Sequence, residues 1–374
     1  MEKFQPKLRF PEFGGDWEMK KLKDLFKISA GGDIGIENVS QEKTEKFNYP
    51  IYANAAKNKG FYGYSDIYKI EENVLTIAGR GVNIGIAHAR DHKFYPIVRL
   101  LVLRPKNNEN IYFFEYQANR LNIHKESTGV PQLTAPQISG YEIFFPQIPE
   151  QTRIANFLSL IDEKITLLKD KKADLQEYKK GIIQKIFSQE IRFKDDNGKA
   201  FEDWEDVELS EIANINKGNQ LNKDDLNDFD KYPSISGGIE PSGYTNKFNR
   251  NENTIIISEG GNSCGYVNFI KNKFWCGGHC YSIDIIDKKI NILYLYQLLK
   301  YNQIHIMMLR VGSGLPNIQK KDLKKYNLSI SKNIKEQTRI ANFLSAIDEK
   351  ISLVNNQIGD TLEYKKGLLQ QLFV

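Results

Sequence analysis

Glu150–Ile165 reads EQTRIANFLSLIDEKI and Glu336–Ile351 reads EQTRIANFLSAIDEKI, with Leu160 against Ala346 as the only difference. The second stretch starts 186 residues after the first (336 minus 150), close to half of a 374-residue chain. The protein is therefore a duplication, each copy a large folded part followed by one such segment. Downstream, Glu177-Tyr178-Lys179-Lys180-Gly181 returns as Glu363-Tyr364-Lys365-Lys366-Gly367, and Phe187 faces Phe373. Upstream, Trp17-Glu18 with Leu22, Leu25 and Ile28 corresponds to Trp204-Glu205 with Leu209, Ile212 and Ile215. Between these anchors the match drifts through Gly81 and Gly85 (Gly261 and Gly265), Ile123-His124 (Ile304-His305) and Gly129-Val130-Pro131 (Gly314-Leu315-Pro316). Small loop insertions and deletions produce such drift, so the folded parts share a fold but have diverged, whereas the repeated segments have not.

Within the first segment Ile154, Leu158, Ile161, Ile165, Leu168, Leu175, Ile182 and Ile186 recur at steps of four and three, with Lys172 as the interruption. That is a heptad seam. The second segment repeats it with Ile340, Leu344, Ile347, Ile351, Val354, Ile358, Leu368 and Leu372, and Thr361 as its polar gap. Two long helices are expected, each about 55 Å at 1.5 Å per residue. Related by a pseudo-two-fold axis, they would run antiparallel as a coiled coil with the folded parts at opposite ends.

The folded parts read as α+β. β-rich runs at 73–78, 97–103, 254–258 and 281–286 are separated by Gly/Asn turns. One helix per part is expected, at about 111–123 and 292–309. The domain order is then 1–149, helix 150–189, 190–335, helix 336–374.

With 40% hydrophobic and 26% charged residues the composition is that of a globular protein, and no apolar run approaches the roughly 20 residues of a membrane span. Three cysteines cannot form a disulfide framework, which agrees with a reducing, cytoplasmic setting. A net charge of +5 mildly favours a polyanionic partner.

No catalytic constellation repeats in both copies or stands out in one. There is no Walker A loop, and Asn48-Tyr49-Pro50-Ile51-Tyr52 lacks the second proline of an amine-methyltransferase motif and reads as the start of a strand. Gly79 to Gly85 could cradle a phosphate, but on this alignment the second copy has Glu259 in place of Arg80, which suits a loop offering variable side chains to a groove better. Cys264, Cys276, His279 and Cys280 have poor spacing for zinc, and the first copy has none of them. His124 and His305, near helix ends, read as packing or capping residues. No catalytic residue and no metal site are expected.

The order of variable part, long helix, variable part, long helix, with Glu-Gln-Thr-Arg-Ile-Ala-Asn-Phe-Leu-Ser after each part and Trp-Glu at Trp17 and Trp204, resembles the specificity (S) subunit of type I restriction–modification systems. The second copy departs from that family's proline-rich lead-in, reading Ser331-Lys332-Asn333-Ile334-Lys335 where the first has Phe145-Pro146-Gln147-Ile148-Pro149. The resemblance implies two target recognition domains, each reading one half of a bipartite double-stranded DNA target, on an antiparallel helix pair. It implies docking of two methyltransferase (M) subunits and, through them, restriction (R) subunits, with Gln151, Arg153, Phe157, Gln337, Arg339 and Phe343 facing the M partners. It implies no catalysis and no cofactor on this chain, S-adenosylmethionine and ATP belonging to the partners. A span of about 55 Å can hold two modules at the roughly 34 Å separation of successive major grooves. The residues expected to contact DNA are Arg80, Asn83, Ser127, Thr128 and Gln132 in the first copy and Glu259, Asn262, Ser313 and Asn317 in the second, because Arg and Asn suit guanine and adenine edges and Glu accepts from cytosine. The rival readings are an enzyme carrying its own catalytic domain and a stand-alone DNA-binding scaffold or regulator of the same fold.

Overall fold

The computed structural model describes residues 4–55, 57–121, 123, 132–312 and 314–374. They fall into two compact units, 1–169 with 357–374 and 170–356. In unit 1 a four-stranded antiparallel sheet runs in the order Phe26–Ala30, Leu101–Pro105, Val74–Ile77, Ala87–Arg90. Unit 2 repeats it as Ala213–Lys217, Cys280–Ile285, Thr254–Ser258, Val267–Ile270. Each unit adds a smaller sheet in which one strand pairs parallel, Tyr49–Tyr52 with Tyr95–Pro96 and Tyr232–Ile235 with Trp275–Cys276. Each also has a two-stranded ribbon, Glu18–Lys21 with Glu142–Phe145 and Glu205–Glu208 with Asn327–Ile330.

The long helices are Ile148–Phe187 and Ile334–Gln371. In unit 2 they run antiparallel, since Lys172 Nζ meets Asn355 Oδ1 at 2.6 Å and, seven residues on, Lys179 Nζ meets Asp348 Oδ1, seven residues back, at 2.6 Å. In unit 1 their other ends meet through Asp162 and Lys365. The interruption at Lys172 is thus filled by a cross-helix hydrogen bond, and the gap at Thr361 is closed by its hydroxyl donating to the Gln357 carbonyl. Ile154, Leu158, Ile161 and Ile165 pack with Leu368, Leu372 and Phe373 into the core of unit 1. Ile186, Ile340, Leu344 and Ile347 do the same in unit 2.

The second long helix needs no proline lead-in. Asn333 accepts through Oδ1 from Lys335 N at 2.9 Å, an N-cap in place of Pro149 in the first turn of its counterpart.

Several expected elements differ in extent, four of them for a reason visible in the structure. The first domain helix stops at Ala118, because the Asn119 side chain turns to the sheet edge, accepting from Ala87 N at 2.9 Å and donating to Ala87 O at 3.0 Å. The second is two helices, Ile292–Tyr301 and Gln303–Met308, broken at Asn302. The strand expected from 97 begins at Leu101, since Val98 and Arg99 take left-handed backbone (φ 54° and 58°). Asn73 (φ 54°) likewise delays its strand to Val74.

Candidate nucleic-acid interface

The glycine-punctuated loops after Val74–Ile77 and Thr254–Ser258 are built alike. Gly85 and Gly265 take φ of 91° and 85°, and a Cβ there would lie 3.0 Å from the Ile123 side chain and 2.8 Å from the Met307 backbone. Only glycine combines that conformation with that close approach. Each loop pairs sideways with a second segment, Leu133 N donating to Gly79 O and Ile318 N to Glu259 O, both at 2.8 Å. Arg80 bridges Gln132 and Gly260 bridges Asn317.

This register corrects the sequence alignment by one residue. Glu259 stands where unit 1 has Gly79, not Arg80; Arg80 corresponds to Gly260, Asn83 to Ser263, and Asn262 to Val82. Gln132 and Asn317 are the matched pair that the sequence implies. Ser127, Thr128, Ser313 and His124 lie outside the described residues.

In unit 1 Arg80 is half-buried. Asn83 Nδ2 donates to the Asn54 carbonyl at 3.3 Å, and Asn54 Oδ1 accepts from Gly79 N at 2.8 Å, so part of Asn83 holds the loop. In unit 2 Glu259, Asn262 and Asn317 line one cavity of about 540 Å³ together with Lys217 and His279. Glu259 Oε1 accepts from Lys217 Nζ at 2.7 Å and from the Tyr281 hydroxyl at 2.9 Å. Oε2 has only His279 Nδ1, at 3.9 Å, among the described residues. Burial and the bond to Glu259 push the Tyr281 phenol well up, so it stays a donor at neutral pH. Lys217, Tyr281 and His279 were not picked out from the sequence. Setting the strands in register reveals them, since Lys217 pairs with Tyr281 where unit 1 pairs Ala30 with Leu101.

The three cysteines do not converge on one point. Cys264 belongs to the large core, and Cys276 and Cys280 to the small one. Among the described residues no group of three or more His, Cys, Asp or Glu could hold a metal. His305 is exposed rather than packed.

Two of the six residues expected to face a partner are turned inward. Gln151 and Gln337 are each 1% exposed. Gln151 Oε1 accepts from Asn110 N at 3.0 Å and Gln337 Oε1 from Asn291 N at 2.8 Å, while their amides donate to the Pro146 and Ser331 carbonyls. Neither glutamine can offer a docking contact, because both tie a domain helix to the start of a long helix. Phe157 packs edge-on against Phe10, and Phe343 edge-on against Phe193. Arg153 pairs with Glu12 at 3.5 Å, and Arg339 with Asp196. Leu160, Leu167 and Leu353 are the most exposed of the large apolar residues on these helices, each at about 60%.

A family model described as the type I restriction modification DNA specificity domain matches residues 14–177 and again 201–364. The chain belongs to this family. A putative type I specificity subunit of Mycoplasma pneumoniae is 30% identical over 48% of this chain and 51% of its own length. A second, from Mycoplasma genitalium, is 33% identical over 46% of each. The chain thus spans about half the length of these relatives. A putative type I restriction enzyme specificity subunit of Methanocaldococcus jannaschii aligns over 98% of this chain and 95% of its own, at 25% identity. The crystal structure of the type I restriction–modification S subunit from M. genitalium shares the fold, with a TM-score of 0.75, 20% identity and 99% of each chain covered. The family match falls on both copies, so each specificity domain comprises one folded part and most of the helix that follows it.

Proposed function

We propose that this chain is the non-catalytic specificity subunit of a type I restriction–modification complex, in which each unit reads its own half of a bipartite double-stranded DNA target. The observation that carries this reading is the unlike chemistry set on alike loops: Arg80, Asn83 and Gln132 in unit 1, Glu259, Asn262 and Asn317 in unit 2. Base edges are read by such side chains, while phosphate contacts only set position. Ser127, Thr128 and Ser313 belong to the same proposal on sequence grounds. The partners are two methyltransferase subunits and, through them, restriction subunits, with S-adenosylmethionine and ATP bound by those partners. Given where Gln151 and Gln337 point, docking falls to the exposed helix surface of each unit, with Leu160, Leu167, Arg153 and Phe157 in unit 1 and Leu353, Arg339 and Phe343 in unit 2. No helix among the described residues is long and apolar enough to cross a membrane, which fits work on DNA in the cytoplasm.

Methylation mapping tests the reading. The chain co-produced with its methyltransferase subunit should mark adenines within a two-part motif, and the purified chain alone should transfer no methyl group. Exchanging residues 31–145 for those of a relative should change one half of the motif and leave the other. Methyl transfer by the isolated chain, or a change in both halves at once, would refute it.

A further inference from the structure

At three of four matched positions around the unit 2 loop, a polar group stands where unit 1 has none. Where unit 2 has Lys217, Glu259, His279 and Tyr281, unit 1 has Ala30, Gly79, Arg99 and Leu101 on the same strands and turns. A glutamate side chain that is 13% exposed, salt-bridged and facing a cavity is therefore an addition to the frame. Its two oxygens differ in use. Oε1 is held by Lys217 and Tyr281, which fix the carboxylate plane, whereas Oε2 has no hydrogen-bond partner among the described residues. A carboxylate brought up to DNA meets phosphate repulsion, and the Lys217 ammonium at 2.7 Å offsets it without occupying Oε2. What remains is an oriented acceptor with no donor capacity.

The geometry points to Glu259 as the residue by which unit 2 selects an amino-bearing base edge, cytosine N4 or adenine N6, at one position of its half-site. This rests on the proposed DNA-reading function and specifies its chemistry. Guanine O6 and thymine O4 present acceptors to the major groove and would face the carboxylate oxygen without a hydrogen. Lys217 and Tyr281 are positioning residues, acting on DNA through Glu259.

The test is selection from a randomised duplex DNA library with the full chain complexed to its methyltransferase subunit, comparing wild type with Glu259→Gln and Glu259→Gly. Glutamine keeps the shape but can also donate; glycine is what unit 1 carries at this place, so the frame accommodates it. In the wild type one position of one half-site should be restricted to C or A by about ten-fold or more. Glu259→Gln should admit G or T there, and Glu259→Gly should leave the position unrestricted. The other half-site, read by unit 1 in the same molecule, should be unchanged in both, which separates loss of reading from loss of folding. Unaltered preferences in both variants, or a sensitive position that selects G or T, would overturn the inference and leave the function standing. A wild type that enriches no motif would overturn the function itself.

Discussion

The start of each long helix and the glycine loop of the same unit have followed opposite courses since the duplication. At the helix starts the main contacts recur in both copies. Glu150 holds Arg9 and Glu336 holds Arg192. Gln151 and Gln337 accept from the backbone of Asn110 and Asn291, whose side chains cap the domain helices and reach Thr152 and Thr338. In the loops, a lysine, a glutamate and a tyrosine have replaced alanine, glycine and leucine on an unchanged backbone register. Residues that couple a folded part to its helix cannot change one at a time without leaving a buried polar group unpaired. Residues facing an open cavity can. The identity of Glu-Gln-Thr at the head of both copies is accounted for by this internal coupling before any shared partner is invoked.

The coupling is not equally strong in the two units, and the difference predicts the largest effect. Glu336 is wholly buried and accepts from Arg192 Nε and NH2, Trp204 Nε1 and Ser331 Oγ. Glu150 accepts from Arg9 alone among these groups, and Trp17 Nε1 has no partner among the described residues. Removing one member of a buried pair costs about 3–5 kcal/mol because its partners stay buried and unpaired. Glu336→Ala should therefore destabilise unit 2 by that amount, and Glu150→Ala should destabilise unit 1 by less. Hydrogen exchange of peptides from each unit measures both in one experiment. Equal losses would mean that the extra bonds to Trp204 and Ser331 add nothing.

How much of this was legible in the sequence follows from the same contrast. The long helices were visible because heptad spacing is a local signal, and the duplication because near-identity needs no structure. The inward orientation of Gln151 and Gln337 was hidden, since their partners Asn110 and Asn291 lie 41 and 46 residues away. The Glu259 cluster was half legible: the residue was named, but an alignment slip of one position set it against Arg80. Lys217 and Tyr281 reach it from neighbouring strands, and only sheet register brings them together. Val98 and Arg99 in left-handed backbone gave no warning, because neither residue type favours that region.

The helix caps should give an intermediate effect, alike in both units. Asn110 Oδ1 accepts from Tyr112 N and Phe113 N, and Asn291 Oδ1 from Leu293 N and Tyr294 N, all at 3.0–3.1 Å. Replacing either by alanine should cost about 1 kcal/mol, read as faster exchange of those amides. A cost confined to one unit would break the equivalence of the two couplings.

The smallest expected effect concerns a place where the copies solve one problem differently. In unit 1 Asn119 alone satisfies both backbone groups of Ala87. In unit 2 the corresponding Val267 needs two side chains, Gln303 accepting from its N–H at 3.0 Å and Lys300 donating to its carbonyl at 2.8 Å. Burial, with a contribution from the nearby Lys179 charge, brings the Lys300 ammonium down to about 8 from an ordinary 10.5. Between those values the unfolded chain holds this proton more tightly than the folded one, so the stability of unit 2 should rise with pH from about 8 towards 10.5. The lysine remains partly solvated, which keeps the rise below the cost of a lost cap. The raised phenols, such as Tyr296 at about 12, act in the opposite direction only above the ordinary tyrosine value of 10.0. Urea unfolding at about pH 7.5 and pH 9.5, followed by hydrogen exchange in each unit, keeps the phenols silent, and comparing wild type with Lys300→Met cancels the Cys264 and Cys276 thiols of unit 2, which are raised from an ordinary 9.0 and oppose the gain. Unit 2 should gain relative to unit 1, and Lys300→Met should abolish the gain. A gain that survives the substitution would have to come from another group, and the asymmetry between Asn119 and the Lys300–Gln303 pair would then have no titration signature.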